Sequence, residues 1–170
     1  NNNPILMTSP HVFIDKDGDF KMVYVSGVKW ERINNKLQSF YRLCSAVSND
    51  GLKWNKCGNI VLDFYDNISN YARPWVICID GKYVLFYSYK SPDQGYKIGV
   101  AISQDFVKWE RLDLQIEFTG HKSNFDNKMQ CYTSLFIKNE NLYMLYNGNK
   151  FGYAGAGLSY TSLLNFKKFF

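Results

Sequence analysis

The sequence predicts an all-β chain made of repeated four-stranded antiparallel units, the arrangement of a β-propeller. Three observations predict it. Aromatic residues make up 18% of the 170 residues, with 13 Tyr and 13 Phe, a composition suited to the pleated, half-buried surface of a sheet. A pattern of two apolar runs around a turn recurs at 9–27, 73–90 and 132–149. No stretch shows a sustained period of 3.6 residues, the mark of an amphipathic helix.

The first unit opens with "SPHVFIDKDGDFKMVYVSG" (9–27), where Asp17-Gly18 separates two apolar runs. Asp tolerates positive φ and Gly prefers it, so the pair marks a hairpin turn. "YRLCSAVS" (41–48) then leads through a turn at Asp50 to Trp54, giving a second hairpin. The second unit repeats this order. "RPWVICIDGKYVLFYSYK" (73–90) turns at Asp80-Gly81, and "YKIGVAIS" (96–103) turns at Asp105 towards Trp109. In the third unit "YTSLFIKNENLYMLYNGN" (132–149) forms the first hairpin. The segment 152–169 keeps the aromatics but lacks the Asp and Trp, and reads as a worn second hairpin with a short outer strand. Tyr24, Tyr87 and Tyr146 close the second runs, 63 and 59 residues apart.

The units therefore span 9–63, 72–113 and 130–170 within a single segment, 1–170. "SNDGLKW" (48–54) and "SQDFVKW" (103–109) share Ser, Asp and Trp at one spacing, and resemble the Asp-box turns of other propellers. Side-chain to backbone bonds explain them as turns, away from any site. A jelly roll or sandwich is also all-β, but gives no reason for strand pairs to recur with similar sequence. Propellers close with about four to eight blades. Three blades leave open apolar faces, so the chain is expected to be a segment of a longer protein, or a part of a ring that other chains complete.

Composition excludes several classes. Hydrophobic residues at 46% and charged residues at 21% describe a globular chain. The net charge of +5 comes from scattered Lys and Arg without a dense basic run, which argues against a nucleic-acid partner. Cysteines at 44, 57, 78 and 131 form no C-x-x-C pair, so neither a zinc site nor any other metal or cofactor is expected. Cys44 and Cys78 lie in apolar runs, which fits free thiols in a reducing compartment. No run approaches the roughly 18 to 20 apolar residues of a membrane span. The first residues, "NNNPILMTSP", lack the charged start and apolar core of a signal peptide, so a cytoplasmic location is expected over a secreted one. The natural N-terminus is expected to lie upstream.

Propeller topology turns the repeat into a map. Successive strands run antiparallel, so the start of each inner strand and the link between the second and third strands share one face. That face gathers His11, Arg73, Trp75 and Tyr132 from the inner strands, with Trp30, Glu31 and Arg32 in one link and Asn147 and Asn149 in another. Asp66 and Asp126 lie on the approaches, seven residues before Arg73 and six before Tyr132. Such polar groups on connecting segments of a rigid scaffold are what a binding pocket uses.

Arg73 stands out. Pro74 is expected to hold it extended and aim its guanidinium at the channel mouth, to grip hydroxyls or a carboxylate by paired hydrogen bonds; bridging two blades is the competing role. His11 is either a pocket group or a satisfied core histidine. Trp30 and Trp75 either stack on sugar rings or pack in the core. Asn147 and Asn149 either bond ligand hydroxyls or make a tight turn.

The quoted segments, together with "ARPWVI", "FDNKMQCYTSLF" and "GAGL", resemble the five-bladed propellers of glycoside hydrolase families 43 and 32 and their relatives, including uncharacterised glycosidase-like propellers of bacterial polysaccharide loci. The resemblance covers nearly the whole chain. It implies a carbohydrate ligand and the cleavage of a glycosidic bond in an oligo- or polysaccharide, by carboxylates at the channel mouth. Asp126, Asp66 and Glu31 are the catalytic candidates; each has a plainer reading, as a turn or cap residue for the two Asp and as part of a solvated loop for Glu31. The sequence also departs from the family. Ser9-Pro10 and Arg73-Pro74 stand where the hydrolases often carry Asp-Pro, and no Glu opens the third inner strand. The resemblance thus implies a base outside this chain and a segment that is not self-sufficient. A non-catalytic glycan-binding or polysaccharide-assembly propeller is the alternative, and a protein-interaction propeller a third option.

Overall fold

The structure, a computed structural model, describes residues 5–56, 58–113, 115–116, 118 and 124–170; Cys57 falls outside them. It is a succession of three antiparallel blades. The first comprises β1 (Leu6–Ile14), β2 (Phe20–Ile33), β3 (Lys36–Ser48) and β4 (Ile60–Leu62). The second comprises β5 (Asn70–Ile79), β6 (Lys82–Lys90), β7 (Lys97–Ser103) and β8 (Glu110–Arg111). A parallel bridge, Tyr41 to Asn70, links them. The third has β9 (Cys131–Lys138), β10 (Asn141–Asn147) and β11 (Ala156–Ser162).

The turns follow from their residues. Asp80 and Gly81 have φ of 48° and 76°, as a tight hairpin requires. At the first hairpin Asp15, with the Asp17 and Asp19 amides donating to Oδ1, holds a turn in which Gly18 takes φ 88°. At the Asp50 turn the Leu52 and Lys53 amides both donate to Asp50 Oδ1 at 2.8 Å, and the Trp54 indole donates to the Gly51 carbonyl. Asp105 holds the Val107 and Lys108 amides in the same way. These Asp residues knit their own turns, as the sequence predicts.

The middle blade is buried on both sides, which explains why β6 reads as an unbroken apolar run, "YVLFY". Its residues alternate. Leu85 and Tyr87 pack with Val23, Leu43 and Val76, in the layer between the first two blades. Val84 and Phe86 pack with Leu135, Leu142 and Met144, in the layer between the second and third. Each such side chain contributes about 1.5 to 3 kcal/mol by leaving water. Trp109 packs at the edge of the first layer, while Trp54 covers a separate cluster of Met22, Tyr24 and Cys44 on the far side of the first blade.

One expectation fails. In place of an outer strand, the third blade continues into α1 (Leu163–Phe166). The Ser162 hydroxyl accepts from the Asn165 amide and caps the helix. Phe166 is buried, its ring stacked 5.7 Å from Phe86. Burying that ring in the layer between blades outweighs a fourth strand's ladder. The outward face of this blade carries a row of stacked rings, Phe136 on Tyr143 at 4.9 Å and Tyr143 on Tyr160 at 5.8 Å. Among the described residues no helix is long and apolar enough to cross a membrane.

Candidate functional site

All three inner strands break register at one level. The β1–β2 ladder skips between Thr8 and His11, and the β5–β6 ladder between Ala72 and Trp75. The β9–β10 ladder skips where Cys131 and Ser134 face Asn147 and Leu145. Each bulge holds a non-glycine residue in the left-handed region: Ser9 at φ 49°, Arg73 at 47° and Tyr132 at 60°. Pro74 therefore does not hold Arg73 extended; the bulge overrides the local preference of a residue before proline. Proline suits the next position, because a ring nitrogen without a hydrogen loses nothing where the ladder is interrupted. Each left-handed residue costs of order 1 to 3 kcal/mol, held in place by the surrounding sheet.

Ser9, Arg73 and Tyr132 meet at one cavity of about 310 Å3, walled also by Tyr41, Tyr71 and Tyr96. Tyr132 is fastened from behind, its amide donating to Ser88 Oγ at 2.8 Å. Arg73 is exposed, and among the described residues its guanidinium makes no hydrogen bond or ion pair. It is a planar donor with nothing to donate to, at the lip of a tyrosine-lined hollow.

Behind the cavity a buried network fixes Tyr71. Its hydroxyl donates to the Asp63 carbonyl at 3.0 Å and accepts from Arg111 at 2.9 Å. Arg111 Nε donates to Asp113 Oδ2 at 2.9 Å, which also receives the Tyr87 hydroxyl at 2.6 Å. Asp113 Oδ1 accepts from the Val100 amide at 2.7 Å. Burial pushes Tyr71 up to about 12, so it stays a neutral donor.

The other candidates fall elsewhere. His11 is half-buried, its ring 4.6 Å from Trp75 and its Nε2 donating to the Val76 carbonyl at 3.1 Å. Burial lowers its pKa and nearby Arg73 adds to the effect, so it is a neutral strut between β1 and β5. Trp75 packs beside it against the layer between the second and third blades. The segment carrying Trp30, Glu31 and Arg32 is no loop. It is the outer arm of a long β2–β3 hairpin, paired through Ile33 and Lys36 and turning at Asn34 and Asn35 with φ of 47° and 62°. Glu31 pairs with Lys29 on that arm at 2.5 Å. Trp30 is 45% exposed and edge-on to Tyr41, which itself lines the cavity.

Asp126 is 1% exposed and accepts the Tyr146 hydroxyl at 2.8 Å, the counterpart in the third blade of the Asp113–Tyr87 bond. Asp66 is exposed at φ 53° in the turn before β5. Neither lines the cavity. Asn147 donates to the Phe151 carbonyl at 3.2 Å. Asn149 clamps two loops, donating to the Asn124 carbonyl and the Asn127 side chain and accepting from the Lys128 amide. Among the described residues no three His, Cys, Asp or Glu side chains gather as a metal site.

Sequence reasoning missed Tyr41, Tyr71 and Tyr96. Two of them had a signal: Tyr41 and Tyr96 open the matching segments "YRLCSAVS" and "YKIGVAIS". A tyrosine repeated where a strand starts, on the face chosen for the site, belongs to that site as much as Arg73 does.

Residues 74–157 match the family described as the glycosyl hydrolases family 32 N-terminal domain. An uncharacterized protein of Mycobacterium tuberculosis is 27% identical over 158 residues, which cover 92% of this chain and 51% of that protein. The chain thus spans about half the length of the curated relatives it matches. A family 117 glycoside hydrolase from Zobellia galactanivorans superposes with a TM-score of 0.67 at 17% identity, over 91% of this chain and 50% of that one. A thermostable family-43 glycoside hydrolase gives 0.65 at 18% identity, over 94% and 55%. At such identities the likeness is one of fold, and the fold is the glycosidase-type propeller that the sequence resembles.

Proposed function

We propose that this chain, a propeller segment with the fold of glycoside hydrolases, forms part of a carbohydrate-binding mouth where a glycosidic bond of an oligo- or polysaccharide is cleaved. The observation that supports this most is the convergence of three left-handed bulge residues, from three blades, on one tyrosine-lined cavity. Strained backbone gathered at one hollow belongs to binding or catalysis more than to packing. Arg73 supplies a planar fork for hydroxyl pairs, and the tyrosine faces suit the apolar side of a sugar ring.

Glycoside hydrolysis uses two carboxyl groups flanking the bond. Among the described residues none of Asp126, Asp66 and Glu31 lines the cavity. In this reading Arg73 and Tyr132 hold substrate, and the acid and base come from other blades of the completed ring. Those blades, from the same protein or other chains, would pack against the exposed Phe136–Tyr143–Tyr160 face. That no carboxylate among the described residues lines the cavity also favours a second reading, a propeller that binds glycan without cutting it.

The test is Arg73→Ala in the whole protein, with saccharide binding followed by calorimetry and chain length by product analysis. Binding should weaken by at least about tenfold, in line with a charge-assisted hydrogen-bond pair. Unchanged binding in a folded variant refutes the site. Shortened products identify a hydrolase, and intact ligand the binding reading.

A further inference from the structure

Beside the Arg73 cavity lies a second one of about 620 Å3: Tyr96 and Phe151, next in sequence to Gly95 and Lys150 of its lining, meet Tyr132 of the first. Phe151 stacks on Tyr132 at 6.0 Å and meets Tyr96 edge-on at 6.3 Å, while Tyr96 and Tyr132 are 5.9 Å apart. The loops that form it are locked together. The Gln130 amide donates to the Tyr96 carbonyl at 2.9 Å. Gly95 lets the two segments close, since a Cβ there would lie 2.6 Å from the Lys128 carbonyl oxygen. Lys150 and Phe151 are consecutive left-handed residues, at φ 54° and 58°, and the Asn147 amide donates to the Phe151 carbonyl. Strain in two neighbouring non-glycine residues again lies at a cavity rim.

Among the described residues the charged side chains lining the two cavities have one sign. Lys128 and Lys150 line the second cavity, with the amides of Asn124, Asn127 and Asn149 around them. Arg73 lines the first, and Lys90 stands over the Tyr96 ring at 5.5 Å. Lys150 rests over Tyr153 at 5.5 Å. Among the described residues none of the four cations forms an ion pair. Asp126 lies beneath them, buried and bonded to Tyr146, and Asp93 is on the exposed 91–95 loop. A neutral glycan has no use for four unpaired cations along its path.

Resting on the reading of the mouth as carbohydrate-binding, we propose that the two cavities form one cleft for an acidic glycan whose sugars carry carboxylates. One sugar occupies the Arg73 cavity against Tyr41 and Tyr96. The adjoining uronate lies across Phe151, its carboxylate between Lys128 and Lys150 and its hydroxyls on the side-chain amides of Asn124 and Asn127. Lysine acts here as a point charge, and the stacked Tyr132–Phe151 pair sets the spacing between the two positions.

The experiment uses the whole protein and a tetrameric hexuronate, measured by calorimetry beside the same tetramer as its methyl ester. A single-stranded oligonucleotide of similar charge is the control. The acid should bind about tenfold more tightly than the ester, with the difference shrinking as salt rises. Lys128→Gln with Lys150→Gln should remove roughly tenfold of the affinity for the acid, as two exposed pairs allow, and none for the ester. Arg73→Ala should weaken both. Equal binding of acid and ester, or of acid and oligonucleotide, overturns the acidic-glycan assignment, as does an unaffected lysine double variant. If the ester still binds through Arg73 in that case, the carbohydrate mouth survives. If neither oligosaccharide binds, both readings fall.

Discussion

Gly99→Ala is the sharpest test of how the cavity is held up. Gly99 lies across the ladder from Tyr87, and a Cβ added to it would sit 2.4 Å from Tyr87 Cε2 and 2.6 Å from Asp113 Oδ1. Neither neighbour can give way cheaply. Tyr87 is fully buried, and Asp113 is committed to Arg111, to the Tyr87 hydroxyl and to the Val100 amide. Overpacking of this kind costs about 1 to 3 kcal/mol. Losing a hydrogen bond to a charged group adds about 1.5 to 3 kcal/mol. The expected loss is therefore about 2.5 to 6 kcal/mol, a large share of the roughly 5 to 15 kcal/mol that holds an ordinary domain together.

In urea, with a slope of about 2 kcal/mol per molar, the midpoint should fall by roughly 1.2 to 3 M. Gly18→Ala is the control. Nothing lies within 4 Å of its added Cβ, and only the φ of +88° opposes it, at about 1 to 2 kcal/mol. Gly99→Ala unfolding no earlier than Gly18→Ala would show that Tyr87 and Asp113 yield to the added methyl. Arg111 also donates to Tyr71 on the cavity floor. Partial unfolding of this network should thus loosen the mouth before the whole blade gives way, seen as faster amide exchange at residues 70–73.

The remaining predictions are simpler. Asp50→Ala frees the Leu52 and Lys53 amides, so thermal unfolding should come earlier while saccharide binding per folded molecule stays constant; lost binding in a fully folded variant would contradict the map of the two faces. His11 titrates below its ordinary 6.5 because burial disfavours the imidazolium and Arg73 repels it. Its contribution is complete above the unfolded pKa and is lost as pH falls below it, since the unfolded state then binds the proton more readily. His11→Gln keeps a donor for the Val76 carbonyl and should flatten the decline of melting temperature between about pH 6.5 and 5.

Much of the fold was legible because its signals are local. Asp80-Gly81 and the Asp50 and Asp105 turns are fixed by their own side chains and by glycine, so reading them needed no knowledge of the rest. The Tyr24, Tyr87 and Tyr146 repeat was visible for the same reason: one cross-strand environment recurs. What could not be read depends on distant partners. The arm bearing Trp30 and Glu31 pairs as a strand with both faces largely in water, so it lacks the alternation that would mark it. Phe166 turns the chain into α1 because Phe86 waits across the blade interface. Asp126 reads as an approach-loop carboxylate until Tyr146, twenty residues later, claims it. The place of Arg73 at the start of an inner strand is legible from the repeat, but its left-handed backbone is not, because a bulge is a property of two strands and not of one.

The three inner-strand bulges carry one more consequence. The bulged residue is excused from the ladder, so its backbone asks little of its side chain beyond tolerance of a left-handed turn. Ser9, Arg73 and Tyr132 occupy equivalent slots with a hydroxyl, a cation and a phenol. The scaffold thus offers sockets into which different chemistry can be plugged without altering sheet register. A mouth built this way can be respecified one socket at a time, and exchanging residues among the three should redirect which ligand is held while leaving the blades intact.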